Sequence, residues 1–194
     1  MNDAPAKKKR RPSSRQAILD AALDLIAEVG ANHVTLDAVA ARAGISKGGL
    51  LYNFPTKQAL LVGLVEAAMA DALALLDSAE RLDGQSFPAV IQSLFDARLS
   101  KMCEAKQNRA THGMLAAMAE EPALLAPVRR FQSAMWERVK ASAADAQGLW
   151  LLWLAAEGLI FGQLYQVSPL SPEENECIRR RLESEIERLV QASI

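Results

Sequence analysis

The sequence predicts an all-α protein in which a small N-terminal helical domain is joined by a long helix to a larger helical body. Apolar residues recur at spacings of three and four along most of the 194-residue chain, which is the periodicity of amphipathic helices. The ten glycines and eight prolines lie mostly between the periodic segments, where they end helices. A hydrophobic content of 51% with 23% charged residues is ordinary for a globular chain of one or two domains.

Residues 35–57, which read TLDAVAARAGISKGGLLYNFPTK, predict two short helices joined by a tight turn. Thr35 is suited to cap the first helix, and Gly44 supplies the turn because glycine adopts a positive φ at low cost. Ser46 is suited to cap the second helix, and Pro55 prevents that helix from continuing. Helices of under three turns are marginal alone, so a scaffold helix is expected on each side. Such a pair is typical of a helix-turn-helix, which presents its second helix to DNA.

Scaffold helices are indeed predicted on both sides of this motif. The first runs from Ser13 or Ser14 to about Val29 and is ended by Gly30, since glycine is the usual residue after a helix C-terminus. The second is capped by Thr56 and extends from Lys57 to about Leu82, long enough to enter the body and link the two domains. We therefore predict a disordered basic arm at residues 1–12, a helix-turn-helix domain at 12–72 with its motif at 35–54, and a C-terminal domain at 73–194.

Five further helices are predicted in the C-terminal domain. Asp145 is expected to cap a strongly apolar helix, while Ser171, Pro172 and Glu174 are spaced as a capping box for the last helix, in which two side chains satisfy each other's backbone amides. The predicted helices cover residues 87–104, 108–119, a segment that begins near Pro127, 146–167 and 172–192.

The net charge of −1 conceals an uneven distribution. Residues 1–60 carry nine Lys and Arg against five Asp and Glu, whereas the rest of the chain carries 13 against 18. A basic N-terminal part on an acidic body indicates a polyanionic partner for the N-terminal part. The KKKRR run at residues 7–11 is compatible with an arm on a phosphate backbone and equally with a solubilising tail.

Several classes of protein are disfavoured by the same sequence. Cys103 and Cys177 are far apart and lack ligand-like neighbours, which argues against a disulfide scaffold or a zinc site and favours a reducing, cytoplasmic location. The apolar run at 149–156 is stopped by Glu157 and is too short to span a bilayer. No secretory leader, phosphate-binding glycine loop, metal-ligand cluster or activated nucleophile is recognisable. We expect no enzyme activity, no cofactor, no metal and no membrane partner.

Residues 14–69 closely resemble the DNA-binding domain of the tetracycline-repressor (TetR) family of bacterial transcription regulators. The resemblance rests on the first helix RQAILDAALDLIAEVG, on Thr35, on the turn AGIS at 43–46 and on KGGLLYNFPTKQALL at 47–61. The rest of the chain resembles the family in architecture alone. The resemblance implies a C-terminal ligand-binding and dimerisation domain, and a dimeric regulator, most often a repressor, that binds a palindromic operator in double-stranded DNA.

The family's DNA contacts can be transferred to matching positions of this chain. Thr35 would meet a phosphate through its hydroxyl and nearby helix amides, and Lys57 would pair with another phosphate. The usual tyrosine is replaced by Leu51, and two glycines leave Lys47 as the long donor able to reach guanine O6 and N7, although a phosphate contact is equally open. Asn53 is either a contact or a helix terminator. The implied contacts are Thr35, Ser46, Lys47, Gly48, Gly49, Leu51, Tyr52, Asn53 and Lys57.

The apolar helix predicted at 146–167 carries a stripe of small residues, Ala155, Gly158 and Gly162, and is nonpolar nearly all round, so most of its surface must be buried. Together with helix 172–192 it resembles the four-helix dimer interface of the family. The alternative is that it forms the core helix of a monomer.

A pocket for a small hydrophobic effector is expected among methionine and aromatic side chains, which adapt to apolar ligands. The same residues at helical spacing are also ordinary core, and His112 is expected to make a structural hydrogen bond. If the core is filled, regulation by a protein partner or by abundance is the alternative. The candidate residues are Phe95, Arg98, Met102, His112, Met118, Phe131, Met135, Trp153 and Glu157.

Overall fold

A computed structural model describes residues 13–81, 105–142 and 145–191, and within these ranges every regular element is helical. The predicted all-α fold is therefore confirmed. The basic arm, the helix predicted at 87–104 and the candidates Phe95, Arg98 and Met102 lie outside the described residues. The helices are α1 (Ser14–Val29), α2 (Leu36–Ala43), α3 (Lys47–Asn53), α4 (Lys57–Arg81), α5 (Ala105–Glu120), α6 (Ala126–Ser142), α7 (Ala146–Leu164) and α8 (Pro172–Gln191), with short 3-10 segments at Ala31–His33 and Pro122–Leu125.

The N-terminal helices begin and end where the local residues predict. The hydroxyl of Thr35 accepts a hydrogen bond from the Ala38 amide at 3.2 Å, and that of Ser46 accepts one from the Gly49 amide at 3.1 Å. Gly44 ends α2 with φ of 67°, a left-handed conformation that glycine adopts without a Cβ penalty. These side-chain caps satisfy amides that a helix cannot pair internally.

One apolar cluster holds α1 to α4 together and extends into α5. Leu19, Leu50 and Leu60 are almost completely buried in it, so α1, α3 and α4 share a single core. Because α3 has only seven residues, this burial is what fixes its orientation.

The C-terminal domain contacts the N-terminal domain mainly through α5, which packs against α1. Gly113 of α5 permits this approach, because a Cβ there would lie 2.8 Å from Ile26 Cγ2. Asn32, in the 3-10 segment after α1, donates its side-chain amide to Glu120 at 2.9 Å. The long helix α4 also packs against α6, and Arg130 donates to Glu66 at 3.1 Å. The two parts of the chain are therefore joined by several helices at once.

Two predicted helix boundaries differ from the structure by three residues. Helix α7 ends at Leu164, three residues before the predicted end, because Gln166 has φ of 53° and the amides of Val167 and Ser168 turn back to the Gly162 carbonyl. Helix α5 is already present at Ala105, earlier than predicted, and a 3-10 turn precedes α6.

The capping box before α8 is confirmed, since the Ser171 amide donates to Glu174 at 2.8 Å and the Glu174 amide donates to the Ser171 hydroxyl at 3.2 Å. Among the described helices, none combines the length and apolar character needed to cross a bilayer.

Candidate nucleic-acid interface

Helix α3 has one buried side and one strongly exposed side. Leu50 is 0% exposed and Phe54, the residue after the helix, is 3% exposed. On the other side Tyr52 is 91% exposed and Leu51 is 37% exposed. Gly48 and Gly49 in the first turn are also exposed. A buried anchor beneath an exposed face is the arrangement that lets a short helix enter the major groove of DNA.

Lys47, the first residue of α3, is held beside a carboxylate of α2. Its Nζ lies 2.9 Å from Oδ1 and 3.2 Å from Oδ2 of Asp37. Both side chains are about two-thirds exposed, at 63% and 68%, so water and salt screen the attraction strongly. Sequence reasoning missed this pair, although Asp37 is the one acidic residue between positions 35 and 57.

Lys57, the first residue of α4, is half-buried and reaches back to the 3-10 segment. Its Nζ donates to the carbonyl oxygen of Asn32 at 2.6 Å. The same Asn32 bonds Glu120 of α5 through its side chain, so one residue connects the start of α4 with the C-terminal domain. This contact was also missed, because nothing local in the sequence pairs positions 25 residues apart.

Asn53 closes α3 by donating its side-chain amide to the Gly49 carbonyl at 2.9 Å. The helix-terminating role that the sequence left open is therefore present in this structure, and its role toward DNA stays a prediction.

Two further cations of the N-terminal domain, Arg42 and Arg15, form contacts between α1 and the helix-turn-helix motif. Arg42 of α2 makes two hydrogen bonds to the Glu28 carboxylate of α1, at 2.9 and 2.8 Å. These bonds, with the attraction of the Glu28 charge, raise the pKa of Arg42 above its ordinary value, so the guanidinium stays charged. The guanidinium of Arg15 lies 5.1 Å from the centre of the Phe54 ring, a cation–π distance.

A second exposed surface lies on α7 and α8. The side chains of Leu151, Leu154 and Phe161 on α7 are each more than half exposed. Beside them is an apolar groove of about 460 Å³, lined in part by Ala155, Gly158, Leu159, Gly162, Ile178 and Leu182. A Cβ added at Gly158 would meet nothing within 4 Å, whereas one at Gly162 would lie 3.4 Å from the Cβ of Ser168, so the stripe of small residues is uncovered at Gly158. Exposed apolar surface of this kind commonly marks a protein–protein contact.

The described candidates for a ligand pocket are divided between two packed clusters. Phe131, Met135 and Trp153 lie in a cluster formed mainly by α6 and α7, whereas Met118 packs against the cluster of the N-terminal domain. Glu157 is half-buried on α7. None of these residues lines the groove on α7 and α8.

His112 makes the structural hydrogen bond expected for it, since its Nε2 lies 2.6 Å from the Leu164 carbonyl and its ring stacks on Tyr165.

Two buried polar atoms on α6 and α7 lack a hydrogen-bond partner. They are Nε1 of Trp153 and Oε1 of Gln132. An unpaired buried polar group costs about 1–3 kcal/mol, so a partner for these atoms would stabilise the fold. Within the described part of the chain, no group of three or more His, Cys, Asp or Glu side chains is placed to hold a metal.

Comparison with known families decides what kind of protein carries this motif. The family model for the tetracyclin repressor-like C-terminal domain matches residues 84–187, and the model for bacterial regulatory proteins of the tetR family matches residues 18–64. The chain belongs to the TetR family. It is accordingly a helix-turn-helix, DNA-binding regulator of transcription.

Curated HTH-type transcriptional regulators match over part of the chain. The HTH-type transcriptional regulator RutR of Escherichia coli K12 is 42% identical over 53 residues, 27% of this chain and 25% of RutR. BetI of Klebsiella pneumoniae is 39% identical over 69 residues, 36% of this chain and 33% of BetI. The chain thus spans a quarter to a third of the length of these relatives.

Solved structures match the fold along nearly the whole chain. The transcriptional regulator SCO7518 of Streptomyces coelicolor A3(2) has a TM-score of 0.67 at 21% identity, covering 92% of this chain and 99% of its own. GusR of Salmonella enterica has a TM-score of 0.66 at 17% identity, covering 96% and 100%. The multidrug binding protein EbrR, complexed with ethidium, has a TM-score of 0.63 at 19% identity, covering 88% and 98%. At these identities the likeness concerns the fold alone.

Proposed function

We propose that this TetR-family regulator is a dimeric repressor that binds a palindromic operator and is released from it by a small hydrophobic effector. The observation that carries the DNA-binding part is the two-sided packing of α3, with Leu50 fully buried and Tyr52 91% exposed. In this proposal the interface comprises Thr35, Ser46, Lys47, Gly48, Gly49, Leu51, Tyr52, Asn53 and Lys57.

The dimer part of the proposal rests on the uncovered faces of α7 and α8. These helices already pack on each other through Ala156, Ile160 and Leu182, and exposed apolar side chains remain beside this contact, most of them on α7. Packing two such pairs together gives a four-helix contact related by a two-fold axis. A two-fold dimer places two copies of α3 on half-sites that are one or more helical turns apart.

The effector part of the proposal rests on the unpaired Trp153 Nε1 and Gln132 Oε1. A ligand acceptor would satisfy Trp153 Nε1, and a ligand donor would satisfy Gln132 Oε1. The Trp153 ring lies 6.5 Å from the Trp150 ring, which in turn lies 5.2 Å from the Trp136 ring. The alternative is regulation without a small molecule. It is favoured by the dense burial of Phe131 and Met135, at 2% and 0% exposure.

Titration with hydrophobic compounds, followed by operator binding, separates these two forms of regulation. Release of the operator by a compound that also quenches tryptophan fluorescence supports the effector. If no compound releases the operator but a protein partner does, the alternative holds. An effector acts only to the extent that it binds the two conformations with different affinity.

We predict that Lys57→Ala weakens binding to every duplex and makes the logarithm of affinity fall less steeply with the logarithm of salt concentration. One phosphate contact contributes a slope of about −0.9, so the slope should become less negative by about that amount. The measurement is fluorescence anisotropy of labelled duplexes at several salt concentrations.

Lys140→Ala provides the matched control, because Lys140 is an exposed lysine on α6 that pairs with Glu137. It should leave the slope unchanged. An unchanged slope and affinity for Lys57→Ala as well would show that Lys57 does not contact a phosphate.

A further inference from the structure

The Lys47–Asp37 pair places a negative charge inside the proposed DNA interface. Asp37 lies two residues after the cap Thr35, and its carboxylate contacts the first residue of α3. Between residues 35 and 57 it is the single acidic side chain, against the cations Arg42, Lys47 and Lys57. A carboxylate at this place opposes binding to phosphates, so its presence needs a physical reason.

Helix stability explains why an acidic residue is found at position 37, but it does not explain the contact with Lys47. An acidic residue in the first turn of a helix is favoured by the helix dipole, and Asp37 occupies the first turn of α2. That role needs no lysine. Here the carboxylate instead engages Lys47 with both oxygens, at 2.9 and 3.2 Å, so it also sets where the Nζ of that lysine lies.

We infer that Asp37 is a positioning residue that makes the DNA contact of Lys47 conditional on sequence. The inference rests on the proposed function, in which Lys47 faces the major groove. On DNA that offers Lys47 only phosphates, leaving the pair would expose the Asp37 carboxylate to like charge, so the pair stays closed. A guanine offers two acceptors, O6 and N7, which replace the two carboxylate oxygens. Lys47 then binds a guanine edge and contributes little to non-specific binding.

The partners of Arg42 and Lys57, the other two cations between residues 35 and 57, support this assignment. Arg42 is held by two bonds to Glu28 on the scaffold helix, and Lys57 is held by the Asn32 carbonyl. Lys47 of α3 is paired across the turn with Asp37 of α2. The side chains of this pair are 63% and 68% exposed, whereas those of Arg42 and Glu28 are 39% and 53% exposed. The more exposed Lys47–Asp37 pair is therefore the one that a guanine edge can reach and replace.

The test is Asp37→Asn, measured on a random-sequence duplex and on the duplex enriched by selection. The substitution keeps the side-chain shape, removes the charge and frees Lys47 to bind a phosphate. We expect affinity for the random duplex to rise about three- to tenfold and the salt slope to steepen by about 0.9, one phosphate contact. Affinity for the selected duplex should rise less, so the ratio of the two affinities should fall.

Two controls separate this effect from a change in total charge or in folding. Glu28→Gln removes the same charge from the N-terminal domain but opens the Arg42 pair, and it should leave the affinity ratio unchanged. In a Lys47→Met background, which keeps an apolar stem of similar length, Asp37→Asn should no longer steepen the salt slope. A purely structural role of Asp37 would alter the melting temperature without altering the slope.

The outcomes are distinct. An unchanged random-duplex affinity for Asp37→Asn, or an equal rise with Glu28→Gln or in the Lys47→Met background, overturns the inference while leaving DNA binding intact. If the unsubstituted protein binds neither duplex, the proposed function fails, and the inference fails with it.

Discussion

Leu50→Ala is expected to lower the free energy of unfolding by about 2–5 kcal/mol, the usual cost of removing a fully buried leucine and leaving a cavity. Leu50 is 0% exposed and lies in the core shared by α1, α3 and α4. The melting temperature should fall by roughly 4–20 °C for a chain of this size. Differential scanning calorimetry measures the change, and DNA binding should be lost together with the fold of the motif.

The neighbouring leucine offers a matched comparison. Leu51 is 37% exposed on the opposite side of the same helix, so Leu51→Ala should change the melting temperature little while it weakens binding to the selected duplex. If both substitutions lowered stability equally, α3 would be buried on both sides and could not face DNA.

Gly158→Glu is expected to convert the protein to a monomer and to lower operator affinity by about 10²- to 10⁴-fold. This is the range by which the affinity of two linked binding modules exceeds the affinity of one module. Gly158 lies in the apolar groove on α7 and α8, and a Cβ there would meet nothing within 4 Å in its own protomer. The protomer should therefore fold normally, because replacing a glycine inside a helix also improves helix propensity. Sedimentation equilibrium measures the mass and anisotropy measures the affinity.

Ala116→Glu is the control for this substitution, since Ala116 is exposed on α5 and the added charge is the same. This control should stay dimeric with unchanged DNA affinity. A Gly158→Glu protein that remained dimeric would place the dimer contact elsewhere, and a monomer that kept full operator affinity would show that dimerisation is not needed for binding.

The parts of the fold that could be predicted from sequence are those with local causes. Thr35, Gly44 and Ser46 define the two helices of the motif through side-chain caps and one positive φ, and each effect acts within a few residues. The end of α7 was misplaced because it depends on a left-handed Gln166. Glutamine carries no strong preference for that conformation, so no local signal marked the turn.

The candidate site was predictable in outline but not in its electrostatic contacts. Its outward residues followed from the family pattern, whereas the partners of Lys47 and Lys57 are set by how α2, α3 and the 3-10 segment pack together. Burial of Phe131, Met135 and Trp153 was consistent with their apolar character, yet the unpaired Nε1 of Trp153 is a property of tertiary packing alone. Residues that touch distant parts of the chain are those that sequence periodicity does not resolve.

The most direct test of the central claim is selection of bound duplexes from a random DNA pool, followed by sequencing and by measuring how many protomers bind each enriched duplex. The account predicts an inverted repeat whose half-sites are separated by about one helical turn or a multiple of it, roughly 10–10.5 base pairs centre to centre, bound by two-fold dimers. No enrichment, or a single unrepeated half-site bound by one protomer, would contradict it.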